Sequence, residues 1–345
     1  HFHGILRHPG AAPSSAAWPP NLFVGAGIDI FVGLAASGLS GTYTLLPDYQ
    51  GFGESSPALL PSTQIQQGYV TATWPVIQAA KSTVAEITDC QAAIGNQLFL
   101  SGSSEGGYAV VAVMDKLAAY APELELVQTV AGASSFRTTR QLMEGFKGFE
   151  AGLIDPSVRF VATLTAIPFS STTTDVMNFE AGQDLIDPYA RQLVVDTFLA
   201  ADDDDDLNAL TNETDPFSLY DPAYFELLNA AADIGVQDPC LEELLADLVL
   251  QDGRDFDLLC QAILDQDLTA ALENAKVPVT LFHSPEDELI SFANLPEVTA
   301  NPNFLTFFPL QGSHLTAGGI FCWVFSSNFS QILPHALPTL WRSMT

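Results

Sequence analysis

Apolar residues along this chain gather into short continuous runs and helical stripes, with few strictly alternating segments. From Gln64 to Ile87 the residues Ile65, Tyr69, Val70, Trp74, Ile77, Ala80, Val84 and Ile87 recur at helical spacing. Pro75 lies inside that stripe and is expected to kink or split the helix. Gln97 to Ser101 is a compact apolar run of strand length, and Gly106 to Tyr120 is an alanine- and valine-rich helix that ends before Pro122. Leu126–Ala131, Val277–His283 and Phe304–Leu310 read as further strands. Thr42 to Asp48 is a shorter β-rich run, predicted as a strand that ends in the turn-forming residues 49–53. Strands and helices that alternate in this way predict the α/β class, with a mostly parallel sheet covered by helices on both faces.

From Phe136 to about Ala271 strand patterns stop and helical ones take over. Residues 136–271 are therefore expected to form a helical cap, inserted into a catalytic domain built from 1–135 and 272–345. The clearest cap helix opens with Asp238 and Pro239, places Leu241, Leu244, Leu245, Leu248 and Val249 on one stripe, and stops at Gly253. A second follows through Leu258, Leu259 and Ile263. The four cysteines Cys90, Cys240, Cys260 and Cys322 permit three full pairings in an oxidising compartment. A Cys240–Cys260 bridge would close a loop worth about 3 kcal/mol in the chain-entropy account. In a tight hairpin turning at Gly253 the two would lie about 9 Å out of step, so either the hairpin is skewed or the pairing differs.

Charge changes the picture next. Forty-one acidic against eleven basic residues give a formal charge of −30, which repels phosphate backbones and anionic membranes and argues against nucleic acid as a partner. The same surface fits adaptation to salty water or an ordinary acidic secreted protein equally well. The Asp202–Asp206 run lacks the glycine and the spaced ligands of an EF-hand and reads as a solvated loop. His1, His3 and His8 flank a glycine without an accompanying carboxylate or cysteine, so no metal site is expected, and no motif calls for a cofactor. The sequons at Asn212 and Asn328 are compatible with a secretory route. The apolar stretches 21–41 and 318–333 are interrupted by Asp29, Asn328 and several glycines, so stable membrane insertion is not expected. A secreted, extracellular monomer is the expectation.

The chemistry centres on Gly102-Ser103-Ser104-Glu105-Gly106, which fits G-x-S-x-G between a strand and a helix, the context of a nucleophile elbow. Small residues are needed because the serine occupies a strained turn, and Gly102, Gly106 and Gly107 supply them. A serine hydroxyl is a poor nucleophile without a base in hydrogen-bond reach. Of six histidines only His314 follows a strand and precedes a helix, which makes it the candidate base. The segment Phe282–Ile290 puts carboxylates in a turn after a strand; Asp287 is the candidate that orients His314, with Glu288 its local rival. The order Ser104, Asp287, His314 is that of α/β-hydrolases and differs from the trypsin and subtilisin orders.

His-Phe-His-Gly at 1–4, Pro47-Asp48-Tyr49-Gln50-Gly51-Phe52-Gly53 and Gly102–Tyr108 together resemble the secretory lipase and esterase family of α/β-hydrolases, a likeness that runs over nearly the whole chain. The resemblance implies an oxyanion hole made by the backbone N–H groups of Ile5 and Glu105. It also implies substrate contacts near Tyr49 and Tyr108, and a lid formed by the region after Ala133. Two departures stand out: Ser103 replaces the aromatic residue usual before the nucleophile, and the sequence starts at the oxyanion loop. If the family's preceding strands are absent, a bare sheet edge is expected beside His3 and Gly4.

The leading expectation is hydrolysis of small-molecule carboxylic esters or lipids through an acyl-enzyme, the cap selecting the acyl or aryl group. A serine peptidase of the prolyl-oligopeptidase type shares fold and residue order, but no pocket for a peptide terminus stands out. A catalytically silent hydrolase-like binding protein would normally have lost one of the three residues. A fluorophosphonate probe separates the silent protein from both enzymes, and ester against peptide substrates divides the enzymes.

Overall fold

The computed structural model describes Phe2 and residues 11–15, 42–53, 62–89, 91–141, 144, 196 and 263–314. Four strands form one sheet in the order β1 (Gln97–Ser103), β2 (Glu125–Gly132), β3 (Val279–His283) and β4 (Leu305–Pro309), and every neighbouring pair is parallel. Beyond β1, Phe2 adds a parallel bridge to Gly102 and donates its N–H to the Ser101 carbonyl at 2.7 Å. All strand C-termini therefore lie along one edge of the sheet, where open parallel sheets carry their ligands.

Among the described residues three α-helices are defined: α1 (Gln66–Ile87), α2 (Glu105–Tyr120) and α3 (Thr269–Glu273). Helix α2 packs against β1, β2 and α1, which explains why Ala109 to Val113 are buried without interruption and why the helix carries so few polar residues. Each fully buried valine there adds about 1.5–3 kcal/mol over an exposed one. Helix α1 runs through Pro75 as one element; the proline costs a backbone donor but does not divide the helix.

Of the five expected strands, four are present among the described residues. Residues 42–49 are not assigned to a strand, and Asp48 accepts the Ser14 N–H and hydroxyl. The four other strands agree with expectation to within a few residues.

Most of 136–271 lies outside the described residues, including the helices expected near 238–263, the Asp202–Asp206 run and Asn212. So do all four cysteines, Asn328, and His1, His3, His8 and His335. The two flanks of this region are bonded to each other: Leu268 donates to the Phe136 carbonyl at 2.9 Å and Thr138 to the Ile263 carbonyl at 2.7 Å. A long segment leaving and returning at one place on the sheet can be accommodated without disturbing the strands. Among the described residues no helix is long and apolar enough to cross a membrane.

Candidate active site

Ser104 sits between β1 and α2 with φ 54° and ψ −125°, a conformation costly for any residue with a side chain, by about 1–3 kcal/mol. Its surroundings hold it there. The Ser104 N–H donates to the Gly132 carbonyl at 2.8 Å, and the Ser104 carbonyl takes the Gly107 N–H at 3.0 Å as the first helical turn forms. The flanking glycines are required by space. A Cβ on Gly102 would lie 2.3 Å from the Gly106 carbonyl oxygen, and one on Gly107 would lie 2.7 Å from the Ser134 Cβ and 2.9 Å from the Gly132 oxygen.

The structure brings the three residues singled out in the sequence together. His314 Nδ1 lies 2.8 Å from Asp287 Oδ2, and His314 Nε2 lies 3.0 Å from Ser104 Oγ. An ionised carboxylate only accepts, so Nδ1 carries the proton and Nε2 presents its lone pair to the serine hydroxyl. Asp287 and His314 are both buried, so water competes little for either bond.

Asp287 follows β3 in a tight turn, and its Oδ1 accepts the N–H groups of Leu289 at 3.0 Å and Ile290 at 2.8 Å. Both carboxylate oxygens are thus fixed before His314 arrives. The rival Glu288 bonds to the main chain instead. Its Oε2 accepts the backbone N–H of His314 at 2.9 Å, while Glu286 Oε2 accepts that of Gly312 at 2.8 Å. Three consecutive carboxylates bind the histidine loop at three points.

His283, which sequence reading placed inside a strand, closes β3 directly behind the acid and is fully buried. Its Nε2 donates to the Ile290 carbonyl at 2.8 Å and lies 3.4 Å from Asp287 Oδ2. Burial lowers its pKa, against the smaller upward pull of the Ile290 carbonyl and Asp287, so it stays neutral and acts as a donor. Its spacing four residues before Asp287 is the signal that could have singled it out.

Of the oxyanion donors implied by resemblance, Ile5 lies outside the described residues. Glu105 opens α2, where its N–H belongs to the unpaired first turn. Tyr49 and Tyr108 are interior residues, 2% and 0% exposed. Tyr49 packs edge-on against Tyr69 with ring centroids 4.9 Å apart, and the Tyr108 hydroxyl donates to the Gln266 carbonyl at 2.5 Å. Both side chains are packed in the interior next to the elbow.

A parallel sheet with serine at a strand–helix elbow after β1, a carboxylate after β3 and a histidine after β4 defines the α/β-hydrolase fold. Solved structures share it across most of this chain. A candidate hydrolase from Legionella pneumophila is 14% identical over 98% of this chain and 80% of its own, with a TM-score of 0.67. The rice cell wall degrading esterase LipA from Xanthomonas oryzae is 17% identical over 85% and 71%, at 0.57. Candida antarctica lipase A is 16% identical over 98% and 70%, at 0.55. No protein-family model and no curated protein sequence matches the chain.

Proposed function

We propose that this protein is a secreted serine hydrolase of carboxylic esters, of the esterase or lipase type, acting on small-molecule esters or lipids as a monomer. The observation that carries the reading is the continuous relay Asp287 to His314 to Ser104, with bonds of 2.8 and 3.0 Å. Ser104 Oγ attacks the ester carbonyl as its proton passes to His314 Nε2, giving a tetrahedral oxyanion held by the Glu105 and Ile5 N–H groups. Collapse expels the alcohol, which takes that proton from Nε2 and leaves an acyl-Ser104. Water then attacks the acyl carbon while His314 again accepts a proton, and the carboxylic acid leaves with the serine hydroxyl restored. Asp287 holds the imidazole in the reactive tautomer and offsets its transient charge.

The esterase and lipase names among the structural neighbours support the substrate class, and residues 136–271 are proposed to cover the acyl site as a cap. Hydrolysis of p-nitrophenyl esters from acetate to palmitate tests the reading, alongside Ser104→Ala and fluorophosphonate labelling at low and high salt. Hydrolysis and labelling that both vanish in Ser104→Ala are expected; an unlabelled wild-type protein would sink the proposal.

A further inference from the structure

The residue that follows the serine carries a buried carboxyl without a counter-charge among the described residues. The Glu105 side chain is 8% exposed; its Oε1 accepts the Tyr69 hydroxyl at 2.6 Å, while Oε2 has no donor in hydrogen-bond geometry. Tyr69 is itself held in place, because its hydroxyl accepts the N–H of Gln64 at 2.7 Å, a residue at φ 59°. Among the described residues the groups that face the carboxyl are Tyr69 from α1 and Thr63 from the turn before it, near enough to favour the charged form. Tyr49 and Tyr108 enclose Tyr69 in turn, with ring centroids 4.9 and 5.9 Å away. All of these are neutral at neutral pH, so nothing described balances a charge on Glu105. Burial pushes the Glu105 carboxyl up to about 7, with Tyr69 and Thr63 pulling the other way.

We propose that the Glu105 side chain sets the alkaline limit of the Ser104 reaction. Neutral, it leaves the oxyanion site uncharged; ionised, it puts a buried negative charge one residue from the serine, opposing the oxyanion that forms there. The inference rests on the ester-hydrolase reading. It is opposite in sign to the requirement for an unprotonated general base, which gives a rising limb. A like charge close to a developing anion in a partly buried site slows its formation by on the order of tenfold.

The test is kcat/KM for p-nitrophenyl butyrate from pH 5 to 9.5, read at the isosbestic wavelength of p-nitrophenol, in wild type, Glu105→Gln and Tyr69→Phe. Wild type should show a bell whose falling limb begins near neutrality. Glu105→Gln should keep the rising limb and lose the falling one, raising the ratio of rates at about pH 9 and about pH 6.5 by on the order of tenfold. Tyr69→Phe removes a donor that favours the carboxylate, so its falling limb should move to higher pH. A falling limb unchanged in both variants, or none in wild type, overturns the inference alone. No ester hydrolysis at any pH overturns the proposed function and this inference with it.

Discussion

Replacing Glu105 by Gln should alter stability as well as rate, in a direction opposite to that of most carboxylates. Its carboxyl sits at about 7 in the folded protein against an ordinary value of 4.5, so the folded chain holds the proton more tightly than the unfolded one. Its contribution is fully present below about pH 4.5, is lost as pH rises, and is gone above about pH 7. At about 1.4 kcal/mol per unit, the raised value corresponds to roughly 3 kcal/mol of lost stability at pH 8. Gln keeps an acceptor for Tyr69 and cannot ionise. The advantage of Glu105→Gln over wild type, measured by urea unfolding at matched ionic strength, should therefore grow by about 3 kcal/mol from pH 4.5 to pH 8. The chain's other acidic groups are common to both proteins and cancel in that difference. Stability curves that stay parallel within about 0.5 kcal/mol would refute a buried, uncompensated carboxyl at this position.

Asp287→Asn should lower kcat by about a thousand- to ten-thousandfold in ester assays, because an amide cannot hold His314 in the tautomer its 2.8 Å bond now selects. His283→Phe should leave the Ile290 carbonyl unpaired, at a cost of about 1–3 kcal/mol in thermal unfolding, and depress kcat more than it raises KM. His283→Gln, which restores a donor, should recover much of that kcat; equal loss in both variants would count against a positioning role. Gly102→Ala places a Cβ 2.3 Å from the Gly106 carbonyl oxygen, where only backbone could yield. It should destabilise by at least about 1–3 kcal/mol and abolish fluorophosphonate labelling even in the protein that folds.

The sheet was legible because the inner strands of a parallel sheet are largely buried, and short apolar runs such as Leu98–Leu100 have few other uses. The segment at 42–48 has the composition of a strand but is not among the four strands described. Of the two outcomes expected at Pro75, the split does not occur, and α1 runs through it as one helix. Ser104, Asp287 and His314 could be read from a motif in its strand–helix context, from strand-following loops and from their order. What could not be read were contacts made across long stretches of chain. Glu105 enters the sequence argument only as a backbone amide, because nothing local reveals that Tyr69, 36 residues earlier, seals its carboxyl inside. Tyr108 follows the serine closely enough to suggest substrate contact, yet its hydroxyl reaches Gln266, 158 residues on.

The run Glu286-Asp287-Glu288 shows why residue type alone could not separate the acid from its rival. All three carboxylates point toward the same loop, and all three accept hydrogen from it. Only Asp287 is short enough, and folded back by the Leu289 and Ile290 amides, to stay beneath the imidazole; the longer glutamates reach around it to the backbone of Gly312 and His314. The acidity of this chain is therefore not surface composition alone. At this turn it holds in place the loop on which the proposed chemistry depends. An imidazole delivered by a loop with three anchors is placed before substrate binds, which is the condition for a general base that need not reorganise during the reaction.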